Sequence, residues 1–200
     1  MRPSIVLVDD DPIIRMDIRE MLEDQGYSVV GEAKNGEEAV ELAVRLKPDL
    51  VIMDMKMPVM NGVKAARIIR RIGSPAAVLM LTAFSQKELV QEACDAGVTS
   101  YLVKPVAEEN LIPAVEIALS QKKRMDELHD ALMQMKQSVE QRKTVEKAKG
   151  IVMRAYALSE EEAYRKMRGA SMESRISLNK VAEYILDGRA DRLSGMAGNG

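Results

Sequence analysis

Residues 49–62 read Asp-Leu-Val-Ile-Met-Asp-Met-Lys-Met-Pro-Val-Met-Asn-Gly, and they contain the clearest structural pattern of the chain. It begins with a near-continuous apolar run that ends on Asp54, and a proline and an Asn-Gly pair follow. A short apolar run without polar alternation is typical of a strand buried on both faces, as in a parallel sheet covered by helices. We therefore predict a central strand at residues 49–54 with an acidic side chain at its carboxyl end.

The chain repeats this pattern on both sides of the central strand, with helix-period segments between the apolar runs. The five predicted strands are residues 4–9, 28–32, 49–54, 77–82 and 100–103. Helix boundaries are predicted by Pro12 after Asp11, by a capping box at residues 85–88, and by Gly26, Gly73 and Gly97. Five such units predict an α/β fold, a doubly wound five-stranded parallel sheet whose strands end at one shared edge, where ligands bind.

The composition excludes several classes of protein. The chain has 200 residues, 46% hydrophobic and 30% charged, without the run of about 18 apolar residues that a transmembrane helix needs. The first residues lack the long apolar stretch of a signal peptide. A single cysteine, Cys94, and a single histidine, His129, exclude a disulfide framework, a zinc cluster and a Ser-His-Asp triad. We therefore expect a cytoplasmic protein that has no membrane partner and whose output region is not an enzyme.

Charge is distributed unevenly along the chain. Residues 1–119 carry 13 basic and 19 acidic side chains, a net −6, whereas residues 120–138 carry +1 and residues 139–200 carry +3. This asymmetry favours two domains with different partners, although chance scatter of surface charge explains it equally well. We predict a first domain at residues 1–119, a helical linker at 120–138, a second domain at 139–187 and a flexible tail at 188–200.

Polar and charged side chains lie at the carboxyl ends of four predicted strands. They are three carboxylates, a hydroxyl and an ammonium: Asp9, Asp10, Asp54, Thr82 and Lys104. Any one such acid is more often a solvated loop or cap residue, but their joint placement at one edge predicts a site. Clustered carboxylates repel one another unless a cation joins them, and hard oxygen ligands suit Mg²⁺. A carboxylate beside Mg²⁺ attacks a phosphoryl group to form an acyl phosphate, whose oxygens a hydroxyl and an ammonium then bind.

These residues and their neighbours resemble the receiver domain of two-component response regulators. The resemblance covers residues 1–119 and is carried by Asp9-Asp10, Asp54, Met57-Pro58, Asn61-Gly62, Thr82-Ala83 and Lys104-Pro105. It implies the flavodoxin-like strand order 2-1-3-4-5 and a cis peptide before Pro105. It also implies a sensor histidine kinase as partner, and a protein that catalyses only its own phosphorylation and dephosphorylation.

The resemblance further implies a magnesium site. Asp54 would be the phosphoacceptor and, with Asp10, a direct Mg²⁺ ligand. Asp9 would act through water, and the backbone carbonyl of Lys56 would complete the site. Because residues 9–11 are three successive acids, the sequence alone leaves the register of this pair ambiguous. We assign Asp11 as a helix N-cap, since it precedes a proline.

A switch is implied at the same edge. Phosphate on Asp54 would draw Thr82 and Lys104 inward, and Tyr101, which matches the switch aromatic of the family, would fill the space behind Thr82. The surface formed by the fourth and fifth strands would then change shape.

The linker at residues 120–138 is predicted to be one helix with an apolar seam along one face. The seam residues are spaced 3, 4, 3 and 4 apart: Met125, Leu128, Leu132, Met135 and Val139. Such a heptad pattern is typical of a coiled coil, here one that would form a homodimer or transmit the switch. An amphipathic helix that packs on its own chain explains the same pattern, and both interpretations stay open.

Three short helices are predicted at residues 139–187, because each apolar face recurs at helical spacing. The first face comprises Val145, Ala148, Val152 and Tyr156. The second helix begins with a capping box at Ser159 and Glu162, and its core face comprises Ala163, Tyr164, Met167 and Ala170. The third is capped by Ser177, and its face comprises Leu178, Val181, Ala182, Ile185 and Leu186. Short helices of this kind must pack together to be stable.

This region resembles the ANTAR domain, an RNA-binding output module. The matching runs are Glu-Lys-Ala-Lys-Gly-Ile-Val-Met at residues 146–153, Ser-Glu-Glu-Glu-Ala-Tyr at 159–164, Met-Arg at 167–168, Ala-Ser-Met at 170–172, and Lys-Val-Ala at 180–182 with Ile185. The resemblance implies that the chain binds paired hairpins with six-nucleotide loops in nascent RNA. That binding would keep a terminator from forming, so transcription would continue.

The candidate RNA-binding cations are Lys143, Lys147, Lys149, Arg154, Arg165 and Arg168. We expect Tyr164 to be buried, which leaves arginine planes and Tyr156 to stack on loop bases. DNA binding is disfavoured because the third helix presents two acids, Glu183 and Asp187. A phosphorylation-dependent switch that binds a protein or a second copy, without RNA, remains the alternative.

Overall fold

The structure is a computed structural model that describes residues 2–83, 92 and 95–189. The chain divides into two compact units, Met1–Leu128 and His129–Gly200, here called the first and second units. The predicted capping box at residues 85–88, Cys94, and residues 190–200 of the predicted tail lie outside the described residues.

The first unit is built around a five-stranded parallel sheet. Its strands and helices are β1 (Ser4–Val8), α1 (Pro12–Asp24), β2 (Ser28–Ala33), α2 (Gly36–Leu46), β3 (Leu50–Asp54), α3 (Gly62–Arg71), β4 (Ala77–Thr82), β5 (Ser100–Val103) and the start of α4 (Glu108–Tyr156). The strand order is β2-β1-β3-β4-β5, and every neighbouring pair is parallel. The prediction of a doubly wound sheet with the flavodoxin-like order is therefore confirmed.

The central strands are buried because helices cover both faces of the sheet. Alternate side chains of β1, β3 and β4 point to opposite faces and form two apolar clusters. One cluster includes Val6, Val51 and Val78 and is covered by α2 and α3. The other includes Leu7 and Ile52 and is covered by α1 and the first turns of α4. Burial on both faces explains why these strands appear in the sequence as unbroken apolar runs.

Side-chain caps start the helices at the carboxyl edge of the sheet. Asp11 caps α1, and its carboxylate accepts a hydrogen bond of 2.8 Å from the Ile13 N–H, as predicted. Asn35 and Asn61 cap α2 and α3 in the same way. Gly26 and Gly73 follow the ends of α1 and α3 with φ angles of 83° and 72°, which side chains other than glycine rarely adopt.

Helix α4 has 49 residues and passes from the first unit to the second. The predicted linker therefore lies within one longer helix that already begins at Glu108 and contains Pro113. All five seam side chains are exposed, between 49% and 68%. Among the described residues nothing of the same chain buries this seam. No helix that the structure describes has the length and hydropathy to cross a membrane.

The second unit comprises the end of α4, α5 (Glu160–Ser174) and α6 (Leu178–Leu186). Its core contains Ala148, Val152, Ala163, Met167, Ala170, Val181, Ala182 and Ile185. The three predicted helices are thus present and share one core. The prediction that Tyr164 and Leu186 belong to this core is wrong, since the two side chains are each 40% exposed. Each directly follows a buried residue, so it is turned about 100° away from the core face.

The capping box at the start of α5 is present. The Ser159 hydroxyl accepts a hydrogen bond from the Glu162 N–H, and the Glu162 carboxylate accepts a 2.9 Å bond from the Ser159 N–H.

We expect Ser159→Ala to lower the free energy of unfolding of the second unit by about 1 kcal/mol, because one N–H loses its partner. Urea unfolding followed by circular dichroism measures the change. Ser138→Ala, at an exposed site inside α4, is the control and should cost nothing; equal effects of the two variants would contradict the prediction.

Candidate functional site

Three carboxylates meet at the carboxyl edge of the sheet. Asp9 and Asp10 follow β1, and Asp54 ends β3, the neighbouring parallel strand. One oxygen from each side chain lies within 4.8 Å of the others. Asp9 and Asp54 are buried, whereas Asp10 is exposed. The topology therefore brings together the three acids that the sequence singles out, and their mutual repulsion favours a bound cation.

Lys104 supplies the positive charge beside these acids. Its Nζ lies 2.6 Å from Oδ2 of Asp9 and 3.3 Å from Oδ1 of Asp54. Burial alone would lower the pKa of Lys104, but the hydrogen bond to Asp9 and the two carboxylate charges raise it above the ordinary value. Lys104 is thus held as an ammonium at the edge of the sheet. The peptide between Lys104 and Pro105 is cis, as the resemblance implies.

Asp54 presents one oxygen that is engaged and one that is not. Oδ1 accepts a 2.8 Å hydrogen bond from the Met55 N–H and receives the contact from Lys104. Oδ2 has no hydrogen-bond donor in the part of the chain that the structure describes. Burial raises the pKa of Asp54 above its ordinary value, and the charge of Lys104 opposes that rise. The second oxygen can therefore act as a nucleophile toward an electrophilic phosphorus.

The two predicted switch residues occupy different environments. Thr82 is buried at the end of β4, where its Oγ1 lies 3.7 Å from Sδ of Met55. Tyr101 is exposed on β5, an edge strand, and pairs with Met80 of β4. Lys56 is exposed, two residues after Asp54. The structure thus brings Thr82 to the carboxyl edge and leaves the Tyr101 ring accessible to solvent.

The loop after β3 is tightly constrained beside Asp54. Val59 has a φ angle of 66°, in the left-handed region that a β-branched residue rarely adopts. Gly62 follows, and a Cβ added there would lie 2.2 Å from the backbone oxygen of Asp54. The Gly62 N–H donates a 3.0 Å hydrogen bond to the Met55 carbonyl. Only glycine therefore allows α3 to start so close to the phosphoacceptor candidate.

Sequence reasoning missed one residue of this edge, Arg15. Its guanidinium donates a 2.5 Å hydrogen bond to the backbone carbonyl of Asp9 and lies 3.4 Å from the carboxylate of Glu32. These contacts tie α1 to the segment that carries the acidic pair. The only sequence signal for this role is the position of Arg15, four residues after the cap Asp11, which places it in the first turn of the helix.

The six candidate cations of the second unit fall into two groups. Lys143 and Arg165 pair with Glu140 and Glu161 on their own helices, at 2.7 and 3.2 Å. Lys149 is buried and lies 2.6 Å from Glu146 and 2.7 Å from Glu160. These side-chain hydrogen bonds raise the pKa of Lys149. Lys149 therefore joins α4 to the first turn of α5 and is the least accessible of the six.

The other three candidates are free to meet an anionic partner. They are Lys147, Arg154 and Arg168. All three are exposed, and no carboxylate of residues 2–83, 92 and 95–189 lies within 4 Å of their charged atoms. A cation without an acidic neighbour loses no internal ion pair when it binds a phosphate, so these three are the strongest candidates for RNA contacts.

Three cation–π contacts, on two tyrosine rings, were not predicted from the sequence. Nζ of Lys166 lies 4.6 Å from the ring centroid of Tyr156, and Lys180 and Arg189 lie 5.6 and 5.2 Å from that of Tyr184. Tyr156, the predicted stacking residue, is exposed but has a lysine over its ring. A base would have to displace Lys166, or share the ring with it, in order to stack there.

Comparisons with known proteins agree with both units. Residues 5–116 match the response regulator receiver domain, and residues 133–186 match the ANTAR domain. The chain is 44% identical over 185 residues to the transcriptional regulatory protein PdtaR of Mycobacterium tuberculosis, which covers 92% of this chain and 89% of that protein.

Similarity to other receivers is confined to the first part of the chain. The chemotaxis protein CheY of Thermotoga maritima is 39% identical over 115 residues, 58% of this chain and 96% of that protein. The receiver domain of NarL from M. tuberculosis matches with a TM-score of 0.58 and 30% identity, over 60% of this chain and 97% of its own. A CheX–CheY–BeF3–Mg complex from Borrelia burgdorferi matches with a TM-score of 0.54 and 25% identity, over 56% of this chain and 85% of its own.

The fold, the acidic edge and these matches agree. The chain belongs to the two-component response regulators in which a receiver domain is followed by an ANTAR domain.

Proposed function

We propose that this response regulator is phosphorylated on Asp54 by a sensor histidine kinase and controls transcription by binding hairpins in nascent RNA, which prevents termination. The observation that carries the proposal is the convergence of Asp9, Asp10, Asp54 and Lys104 at one edge of the sheet. The ANTAR match of residues 133–186 supports RNA as the target. The 44% identity to a transcriptional regulatory protein supports the control of transcription.

The acidic residues fit a magnesium ion. Three carboxylates lie within 4.8 Å of one another, and Lys104 is their only cationic partner among the described residues, so the cluster keeps an excess of negative charge. Asp10, Asp54 and the carbonyl of Lys56 would hold the ion, with Asp9 acting through water. Mg²⁺ would supply positive charge to the phosphoryl oxygens and relieve the repulsion among the acids.

Phosphoryl transfer then follows from the geometry of Asp54. Its Oδ2 attacks the phosphorus of a phosphoimidazole donor, so that the P–O bond forms as the P–N bond breaks. The departing imidazole nitrogen takes up a proton from solvent. Lys104, 3.3 Å from Asp54, moves its ammonium from the carboxylates to a phosphoryl oxygen. The Thr82 hydroxyl exchanges its weak contact with Met55 for another phosphoryl oxygen.

The switch follows from the displacement of Thr82. As its side chain turns toward Asp54, it leaves space at the end of β4, and the exposed ring of Tyr101 moves inward to fill that space. Phosphorylation thereby favours one of two conformations of the surface formed by β4 and β5. We propose that this change raises the affinity of the ANTAR domain for RNA.

We expect the full chain to bind a pair of RNA hairpins with six-nucleotide loops more tightly in the presence of beryllofluoride and Mg²⁺, a mimic of the acyl phosphate. Because exposed cations would neutralise RNA phosphates, affinity should fall about 20-fold between about 50 and 200 mM salt if three phosphates are contacted. Gel-shift titrations measure both effects. Asp54→Asn is the control and should not respond to beryllofluoride. Absence of RNA binding in either state would contradict the proposal.

A second candidate function is a phosphorylation-dependent dimerisation switch without RNA. The observation that favours it is the exposed seam on α4, because five apolar side chains at heptad spacing are left open to solvent. A sizing column run on the same samples distinguishes the two functions. Dimerisation with beryllofluoride but without RNA binding would favour this second function.

A further inference from the structure

The outer face of α5 carries two of the candidate RNA-binding arginines together with Tyr164, which the sequence placed in the core. Tyr164, Arg168 and Met172 follow one another at intervals of four residues, so they form a row along the helix. Arg165 lies beside this row, and Arg175 caps the carboxyl end of the helix. All five side chains are exposed, and Met172 is 73% exposed. We call these five residues the α5 face.

The α5 face is positively charged from Arg165 to Arg175, whereas Glu160 and Glu161 border Tyr164 at the start of the helix. It carries three arginines, and Arg165 is paired with Glu161 at the start of the helix. No carboxylate of the described residues lies within 4 Å of the guanidinium of Arg168 or of Arg175. Glu173, the remaining acid toward the end of the helix, lies about 140° around the helix from Arg168. The face therefore attracts an anion and offers at least two arginines without competing acids.

The same face carries apolar area that no described residue covers. A tyrosine ring and a methionine side chain stand on either side of Arg168, one helical turn away in each direction. In proteins that bind single-stranded nucleic acids, aromatic rings stack on unpaired bases while arginines contact the adjacent phosphates. Paired bases in a helical stem present no free face for such stacking.

We infer that the α5 face is the site where an unpaired loop base of the RNA is bound, with the base stacked on Tyr164 and the adjacent phosphate held by Arg168. This inference rests on the proposed RNA-binding function and names the surface and the part of the RNA that meet. Unlike Tyr156, whose ring is occupied by Lys166, the Tyr164 ring has no cation over it among the described residues. Met172 extends the apolar contact, and Arg165 and Arg175 border it.

The charge argues for RNA rather than a second copy of the chain on this face. A symmetric contact would place Arg168 and Arg175 opposite arginines of an identical surface, and like charges at close range oppose association. An RNA loop has phosphates that can bind the arginines and unpaired bases that can stack on the tyrosine.

Four variants of the full chain test the inference in gel-shift titrations with the hairpin pair. Tyr164→Ala and Arg168→Gln should each lower the affinity about 10- to 100-fold, as loss of one stacked base or one phosphate contact does. Tyr164→Phe keeps the ring and should bind within about twofold of wild type. Arg71→Gln removes an exposed arginine of the first unit and is the matched charge control.

A second readout separates stacking from a general loss of structure. With 2-aminopurine placed at successive loop positions, binding of wild type or Tyr164→Phe should quench the emission at one position, and saturating Tyr164→Ala should not. Unchanged affinity and quenching in Tyr164→Ala, while wild type binds the hairpins, would overturn the inference and leave the proposed function standing. Failure of wild type itself to bind would overturn both.

Discussion

Gly62→Ala should destabilise the first unit by about 3 kcal/mol or more and should sharply reduce phosphoryl uptake. A Cβ at this position would lie 2.2 Å from the backbone oxygen of Asp54 and 2.9 Å from Sδ of Met80. A methionine side chain can move, but a backbone carbonyl inside a buried strand cannot, so the start of α3 must shift away from β3. Overpacking of this kind typically costs about 1–3 kcal/mol, and more when backbone must yield.

The loss of uptake has a second cause. The Gly62 N–H donates to the carbonyl of Met55, whose own N–H holds Oδ1 of Asp54. A shift of α3 therefore displaces the peptide that orients the phosphoacceptor candidate. Urea unfolding measures the first effect, and uptake of label from acetyl phosphate with Mg²⁺ measures the second.

The control is Gly169→Ala in α5, where an added Cβ meets no atom within 4 Å. This variant should stabilise its helix by about 1 kcal/mol, because alanine is the better helix former. A Gly62→Ala protein that unfolds at the wild-type urea concentration and takes up label normally would show that the close approach of α3 to β3 is not required.

Asp54→Asn should abolish phosphoryl uptake and, in the absence of Mg²⁺, should raise the stability of the first unit at neutral pH. Burial raises the pKa of Asp54 in the folded state, so the unfolded chain releases this proton at a lower pH. The ionised carboxylate therefore disfavours the folded state at every pH above the unfolded pKa of about 3.9. Asparagine keeps the shape without the charge, so an increase in Tm is expected.

The difference in stability between Asp54→Asn and wild type depends on pH. The advantage of Asp54→Asn should grow as pH rises from the unfolded pKa toward the raised folded pKa, and should vanish in acid, where both side chains are neutral. Added Mg²⁺ should stabilise wild type more than the variant, since the variant lacks one ligand of the proposed site. Thermal unfolding in EDTA and in Mg²⁺, across a pH series, measures both differences.

Asp49→Asn is the matched variant and should have the opposite sign. Burial would raise the pKa of Asp49, but hydrogen bonds from the backbone and side chain of Ser4 and the charge of Lys122 lower it overall. Its carboxylate therefore stabilises the folded state above the unfolded pKa, and that contribution is lost as pH falls through the folded pKa. If both asparagine variants changed stability in the same direction, the electrostatic account of Asp54 would be wrong.

The strands and the acidic edge could be predicted because they depend on patterns that are local in the sequence. The bounds of β4 and β5 match the predicted residues, and those of the other three strands differ by one residue. Once parallel strands were predicted, their carboxyl ends had to share an edge, which places Asp54 beside Asp9. The N-cap predicted at Asp11 is present, since its carboxylate accepts a hydrogen bond from the N–H of Ile13, and Asp9 and Asp10 stay the proposed acidic pair.

Predictions that depended on packing between helices were less accurate. The helical period marks a broad face, and it could not separate Ala163, which is buried, from its neighbour Tyr164. The burial of Lys149 likewise could not be predicted from the sequence. Its partner Glu160 belongs to another helix and contacts it only when α4 and α5 pack together. Such contacts follow from tertiary structure, and no spacing along the chain encodes them.

Val59 has a consequence for anyone who engineers this protein. A β-branched residue with a φ angle of 66° costs about 1–2 kcal/mol, and the side chain is 74% exposed, so packing offsets little of that cost. Glycine and asparagine adopt this conformation more readily. Val59 therefore lowers the folding stability of this loop, five residues from Asp54. One surface substitution at Val59 would raise the thermal stability of the protein and leave every charged group of the edge in place.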